Sequence, residues 1–204
     1  MLIAKTKGNI MLLDDFLPTY DFTEVHSIPI KASPEVVFRA IKELTLAEIS
    51  SIVRLLFFIR SLPEKAVGRN GLAMNIREPL LSNMLKIGFL TLAEQPPHEF
   101  VFGIIVPGNI GRFWHKASSL DISLTDIHGF LAFNHPDYVC VVVNFLVEDA
   151  DEAGFITVRT ESRSRALSSK ARKNFTPYWR IIRPFGGLIR RLWLQGIKNR
   201  SEHC

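Results

Sequence analysis

Three charged residues alternate along one predicted strand in the C-terminal half of the chain. Arg159, Glu161 and Arg163 are spaced two residues apart, so they share one face of that strand. Two flanking arginines would depress the pKa of the Glu161 carboxyl and position it for acid–base chemistry. The same spacing is typical of a solvent-facing ladder of opposite charges. The sequence favours the ladder, because Val158 and Thr160 take the other face.

Two further residue types have nucleophilic or proton-transfer chemistry. His115, beside Trp114, would line the mouth of a cavity or lie in a loop, and Cys140 would act as a nucleophile or as a small buried hydrophobe. The six histidines show no His-x-x-x-His spacing, and the two cysteines form no Cys-x-x-Cys. There is no phosphate-binding glycine loop and no Gly-x-Ser-x-Gly. The sequence therefore predicts no metal, no cofactor and no catalytic residue.

The elements that must position these residues begin with a strand over 24–31, which places His26, Ile28 and Ile30 on one side. Ser33-Pro34-Glu35 then predicts a helix start, with Ser33 as the cap. A second helix is predicted over 46–61. Residues 64–87 are read as loop with a short helix, and 107–121 as a loop or distorted strand.

Four further segments follow the period of two that half-buried strands show. They are 89–94, 99–106, 138–148 and 155–166, with 122–133 left open between helix and strand. Together they predict an antiparallel sheet with one covered and one wetter face.

The last 35 residues change to a helical period. The sequence predicts one amphipathic closing helix over 168–202, with Thr176-Pro177 as a second possible start. Pro184 followed by Gly186-Gly187 predicts a kink or break near 184–187. The two tryptophans of this segment fall on its apolar side, which needs a large apolar partner such as the valine-rich face of the sheet.

Positive charge is concentrated in the same region. Residues 159–202 hold 12 Lys/Arg against two acids, a balance of +10, whereas the rest of the chain has 13 against 18, a balance of −5. Nucleic-acid binding is disfavoured because Trp179 and Trp193 lie on the apolar side, away from any base. Two interpretations stay open: a solvated helix face, and docking on an anionic membrane through four residues. Those four are Arg190, Arg191, Lys198 and Arg200.

The bulk composition bounds the class of protein. The 204 residues carry a net charge of +5 and are 47% hydrophobic, with a mean hydropathy of +0.14, which excludes a disordered or disulfide-stapled chain. No run approaches the roughly 18 apolar residues of a membrane span, and the N-terminus lacks a signal-peptide pattern. We expect one cytoplasmic domain over 1–204, with 1–20 as an N-terminal extension.

Three stretches of the sequence resemble a known superfamily. They are IPIKASPEVVFRAI at 28–41, TESR at 160–163 and FTPYWRIIRPFGGLIRRLWLQGIKNRSE at 175–202. With this order of elements, residues 15–202 resemble the SRPBCC superfamily, which includes START lipid-transfer domains, birch-pollen-allergen proteins and polyketide cyclases. The match is to an uncharacterised, mostly bacterial branch, from whose pattern Pro177 departs. The resemblance implies an α+β helix-grip fold: a curved antiparallel sheet around a long C-terminal helix, with two short helices after the first strand.

The resemblance also implies a cavity between the sheet and the closing helix for a hydrophobic small molecule or lipid. The inward-facing candidates are Phe102, Ile104, Val141, Val143, Phe145, Val158, Thr160, Trp179 and Ile182. Two alternatives stay open. In the first, a cyclase or dehydrase uses the same cavity, with Glu161 or His115 reaching it. In the second, the protein is a membrane-docked module without a ligand. The sequence favours a binding protein over an enzyme.

Overall fold

The structure, a computed structural model, describes residues 11–49, 75–109 and 126–203. Within these ranges the elements are α1 (Leu12–Phe16), β1 (Phe22–Ile30), α2 (Pro34–Glu43), α3 (Leu80–Lys86), β2 (Leu90–Gln95), β3 (Glu99–Pro107), α4 (Ile127–Ala132), β4 (Tyr138–Val147), β5 (Ile156–Ala166) and α5 (Ser169–Glu202). The protein is thus α+β, as predicted. Most of the helix predicted over 46–61 lies outside the described residues, as do His115 and most of 107–121.

The five strands form one antiparallel sheet in the order β1-β5-β4-β3-β2. β2 to β5 are neighbours in chain order, whereas β1 pairs with β5 at the other end of the chain. Phe22 lies opposite Ser164, and Ile30 lies opposite Ile156. β1 is therefore an edge strand, and α5 packs on it and on β5 and β4.

The start of α2 follows the capping rules that its sequence predicts. The Ser33 hydroxyl accepts a hydrogen bond from the Val36 N–H at 3.4 Å, Pro34 takes the first helical position, and Glu35 lies in the first turn. Val37 and Ile41 are buried against the sheet and α5.

Helix α5 spans 34 residues, or roughly 50 Å at 1.5 Å per residue. The Ser168 hydroxyl caps it by accepting from the Ala171 N–H at 3.0 Å. Pro177 lies inside the helix, so a second start at Thr176-Pro177 is wrong; Thr176 instead bonds back to the Arg172 carbonyl at 2.7 Å. The helix is uninterrupted across Pro184, which excludes a break there, and the kink stays a prediction.

Both faces of the sheet are covered, which corrects the expectation of one wetter face. The inner face carries α5 and α2, with Phe145, Val158 and Trp193 in its core. The outer face carries α1 and α4, and its Val101 and Val142 are fully buried. The alternation along the strands assigns residues to faces correctly, but it does not reveal that residues 11–21 cover the second face.

Candidate ligand-binding site

The register of the strands arranges the inner face in cross-strand rows. From the β1 edge inward, these rows are Phe22–Ser164–Val141–Ile104, Glu24–Ser162–Val143–Phe102 and His26–Thr160–Phe145–Phe100. β1 and β5 therefore supply a mostly polar half of the face, and β4 and β3 supply an apolar half. Helix α5 lies over this face. The interface between helix and sheet is therefore amphipathic in cross-section.

Four of the nine predicted cavity residues come together in the apolar core of the inner face. Phe102, Val143, Phe145 and Val158 belong to one core cluster with Trp193, whose ring lies 4.9 Å from Phe145 and 6.4 Å from Phe102 between centroids.

The other predicted cavity residues are spread more widely. Ile104 and Thr160 are also buried, while Val141 is half-buried. Trp179 and Ile182 are half-buried nearer the start of α5, where Trp179 packs on Phe22 at 5.4 Å.

Three buried polar atoms near the boundary of the two halves have no hydrogen-bond partner among the described residues. They are Ser162 Oγ, Ser164 Oγ and Trp193 Nε1. Thr160, on the same strand face, does find one, because its hydroxyl donates to the Asn144 carbonyl at 2.8 Å. An unpaired buried polar group costs about 1–3 kcal/mol, so native proteins keep few of them without a reason. These three atoms lie on one helix–sheet interface, whose hydrogen-bonding capacity is therefore not fully used by the described residues.

A charged cluster lies beside the serines, where α5 crosses β1. Glu24 Oε1 lies 2.9 Å from His26 Nε2, and Arg190 Nη1 donates to Glu24 Oε2 at 2.7 Å. Burial lowers the pKa of Arg190, and the Glu24 carboxylate opposes that shift. The cluster depends on Gly187, because a Cβ there would lie 2.5 Å from Glu24 Oε1 and 3.2 Å from His26 Nε2. A glycine at this helix position lets α5 approach the carboxylate.

A cleft of about 680 Å³ opens along this crossing. Its lining residues are Thr23, Glu24, Val25, His26, Arg183, Pro184, Gly187, Leu188 and Arg191. The volume is in the range of roughly 300–1,000 Å³ that small-molecule sites occupy. Arg183 and Arg191 form no ion pair with any residue that the structure describes, unlike Arg190. The cleft therefore presents, next to the buried polar half, two positive charges that have no acidic partner within the described ranges.

The predicted Arg159–Glu161–Arg163 ladder lies on the opposite, outer face, where Glu161 and Arg163 are buried and Arg159 is half-buried. The Glu161 and Arg163 side chains are only 3% and 6% exposed, because residues 11–21 cover them. Glu161 accepts from Arg163 Nε at 2.7 Å and from Arg159 Nη2 at 2.6 Å. Arg163 Nη1 also donates to Asp14 Oδ1 at 2.7 Å and to the Leu17 carbonyl at 3.1 Å. Burial acts against the guanidinium, yet the bonds to Asp14 and Glu161 outweigh it and raise the pKa of Arg163.

The outer-face network continues through Asn144 to Glu99. Asn144 donates to Glu99 at 2.6 Å and accepts from the Glu161 N–H at 2.9 Å. Glu99 also accepts from the backbone N–H groups of Leu12 and Leu13, at 2.7 and 3.3 Å. These groups satisfy one another and fasten α1 to the sheet. We therefore read the network as structural, and Glu161 does not reach the inner face.

Cys140, the remaining candidate among the described residues, has a poorly reactive thiol. Cys140 is buried on the outer face, and burial raises its pKa to about 11, so its thiol is protonated at neutral pH. Within residues 11–49, 75–109 and 126–203, no group of three or more His, Cys, Asp or Glu residues is arranged to hold a metal ion. No helix of the described ranges is both long and apolar enough to cross a bilayer.

Sequence reasoning missed most of the polar residues of this site. The period of two along the strands places Ser162 and Ser164 on the same face as Thr160, and Glu24 on the same face as His26. The sequence alternation could therefore have identified all three as inner-face residues. Arg190 and Gly187 carried no such signal, because their roles depend on the partner strand that α5 crosses.

Comparison with known proteins assigns no family to the chain. No protein-family model matches the sequence, and no curated protein matches it. Among solved structures, the chain is similar to a hypothetical protein from Helicobacter pylori whose crystal structure was determined at 1.88 Å. The two share 9% identity over 98% of this chain and 99% of that chain, with a TM-score of 0.40. The resemblance to the SRPBCC superfamily stays a prediction.

Proposed function

We propose that the protein binds an amphipathic small molecule or lipid between α5 and the inner face of the sheet, in a helix-grip arrangement. The observation that carries this proposal is the set of unpartnered buried atoms Ser162 Oγ, Ser164 Oγ and Trp193 Nε1. Each of these groups can donate a hydrogen bond, so a ligand carbonyl or carboxylate oxygen would satisfy them. The five-stranded sheet under a long C-terminal helix is compatible with that fold, and the sequence resemblance of 175–202 supports it.

The distribution of charge suggests which end of the ligand is polar. The apolar half of the face, around Phe102 and Phe145, suits a hydrocarbon or polyketide body. The cleft with Arg183 and Arg191 adjoins the polar half and suits an anionic group, because unpaired guanidinium groups bind carboxylates strongly. A hydrophobic carboxylic acid meets both requirements.

The test is binding of a fluorescent long-chain carboxylic acid to the wild type and to Ser162→Ala and Ser164→Ala. We expect each variant to weaken binding about fivefold to tenfold, since a hydrogen bond is worth about 1 kcal/mol. Ser27→Ala is the control, because Ser27 is exposed on neighbouring β1. Organic extraction of gently purified protein should also yield a stoichiometric apolar compound by mass spectrometry.

Two results would contradict the proposal. One is a wild type that neither binds the acid nor releases any compound. The other is a pair of serine variants that gain stability while keeping full affinity, because deleting a hydroxyl that serves no ligand removes only its burial cost.

A second candidate, a cyclase or dehydrase, is favoured by one observation. His26 and Glu24 form a hydrogen-bonded pair in the wall of the cleft, which is the arrangement of an acid–base residue with its orienting carboxylate. Compounds extracted from the wild type and from His26→Gln would then differ in mass by one water. Recovery of the same compound from both proteins would exclude this dehydration.

A further inference from the structure

Helix α5 exposes three large apolar side chains on its solvent side. Ile181, Phe185 and Leu188 are 67%, 49% and 39% exposed, and their spacing of four and three residues aligns them along the helix. We call these three residues the exposed ridge. Single exposed hydrophobic residues are common on protein surfaces, but an aligned set on one helix indicates a contact surface.

The basic residues of α5 divide into two groups. Five of its nine Lys/Arg form ion pairs: Lys170 with Asp137, Arg172 with Asp21, Arg190 with Glu24, Lys198 with Glu202, and Arg200 with Glu43 and Glu48. The other four, Lys173, Arg180, Arg183 and Arg191, have no ion pair with any residue in the described ranges.

This division changes which residues would form the membrane surface that the sequence left open as an alternative. Of Arg190, Arg191, Lys198 and Arg200, only Arg191 lacks an acidic partner among the described residues. The uncompensated charge instead lies over 173–191, the same stretch as the exposed ridge. The only acidic residue of α5, Glu202, is at its far end.

We propose that the exposed ridge and three of these cations, Lys173, Arg180 and Arg191, form a docking surface for an anionic lipid bilayer. The helical period places these three cations along one side of the ridge, whereas Arg183, two residues from both Ile181 and Phe185, lies on the other side of the helix. Basic residues beside an apolar ridge match the interfacial region of a membrane, where cations meet lipid phosphates and apolar side chains enter the acyl boundary. A second copy of the same surface would meet it with like charge, which opposes self-association. Nucleic acid is also a poorer match, because Phe185 is the one aromatic residue of the ridge.

The proposal does not depend on the proposed ligand site, and its test avoids residues shared with that site. Arg183, Leu188 and Arg191 line the cleft, so they stay unchanged. The first variant, Ile181→Ser with Phe185→Ser, removes apolar surface. The second, Lys173→Gln with Arg180→Gln, removes two unpaired charges. The control, Lys170→Gln with Arg172→Gln, removes the same charge from the same helix at positions that pair with acids.

The experiment is co-sedimentation with vesicles of phosphatidylcholine alone or mixed equally with phosphatidylglycerol, at low salt. We expect binding to the mixed vesicles only. The charge variant should weaken it about 30-fold, as the loss of two surface cations predicts, and the ridge variant about tenfold. The control should weaken it less than about threefold. Far-UV circular dichroism checks that each variant folds; all four substituted basic residues and both ridge residues are exposed.

Three results would overturn the proposal. The first is a wild type that does not sediment with mixed vesicles. The second is a control variant that loses as much binding as the charge variant, which would show a response to net charge alone. The third is a wild type that forms dimers without vesicles and becomes monomeric with Ile181→Ser and Phe185→Ser, which would make the ridge a contact between copies.

Discussion

Replacing Arg163 with Met tests the outer-face network most directly. The substitution keeps an aliphatic side chain of similar length but removes the guanidinium that bonds Glu161, Asp14 and the Leu17 carbonyl. Glu161 would then remain buried, and Arg159 would be its one cationic partner among the residues that the structure describes. The Arg159 side chain is 34% exposed, so its charge is partly screened by water.

The expected loss follows from the burial of the pair. Removing one partner of a buried ion pair costs about 3–5 kcal/mol, because the other charge stays in a low-dielectric environment. The bond to Asp14 adds less than about 1 kcal/mol, since that carboxylate is 40% exposed. Domains of this kind have a free energy of unfolding of about 5–15 kcal/mol, so Arg163→Met would remove a large fraction of the stability.

The measurement is urea unfolding followed by far-UV circular dichroism, with the free energy extrapolated to water. Arg165→Met is the matched control, because Arg165 is two residues further along the same face of β5 and is exposed. We expect the control to change the free energy of unfolding by less than about 0.5 kcal/mol. Hydrogen exchange at the Leu17 amide, which bonds the Leu13 carbonyl, should accelerate in Arg163→Met because α1 loses its anchor.

A double variant decides whether the reasoning is right. If the cost comes from an unpaired buried carboxylate, Glu161→Leu with Arg163→Met removes that carboxylate, and the double variant should be more stable than Arg163→Met alone. A single variant that loses less than about 1 kcal/mol, or a double variant less stable than the single one, would refute the assignment.

Two further predictions test the burial of single groups. The first uses a Cys204→Ser background, so that Cys140 is the one remaining thiol. At pH 8, Cys140 should react with a thiol reagent about 100-fold more slowly than a thiol of pKa 9.0, because its pKa of about 11 leaves little thiolate. Equal reaction rates in the folded and urea-unfolded protein would contradict this. The second is Gly187→Ala, which should lower the free energy of unfolding by about 1–3 kcal/mol, because its Cβ would lie 2.5 Å from Glu24 Oε1. Gly186→Ala is the control. Its Cβ would lie 3.9 Å from Glu24, so thermal unfolding should show a neutral or stabilising effect.

The parts of the fold that local sequence determines were predictable. β4 and β5 coincide with the runs of strand-forming residues that predict them, and α2 begins where Ser33 and Pro34 place it. The bounds of these elements agree with expectation to within a residue or two because capping and side-chain parity act over short distances.

The cover of the outer face was not predictable in the same way. α1 is five residues long, too short to show a helical period, and its contacts join Asp14 to Arg163 across 149 positions. The Arg159–Glu161–Arg163 alternation would be identical in an exposed ladder and in a buried network. Parity assigns a side chain to a face, but only a distant segment of the chain decides whether water reaches that face.

The two faces of the sheet differ in whether their buried polar groups form hydrogen bonds. On the outer face, Glu99, Asn144 and Glu161 bond one another and α1, and the orphan there, Arg159 Nε, belongs to a partly exposed side chain. On the inner face, Ser162 and Ser164 are buried without such partners among the described residues, and Glu24, opposite Ser162, lines the cleft that also holds Arg183 and Arg191. A solid core at these positions would be more stable with alanine or valine, since an unpaired hydroxyl only adds a burial cost. Unmet hydrogen-bonding capacity, rather than polar content alone, is therefore the reason why we propose a ligand site beneath α5 and not on the outer face.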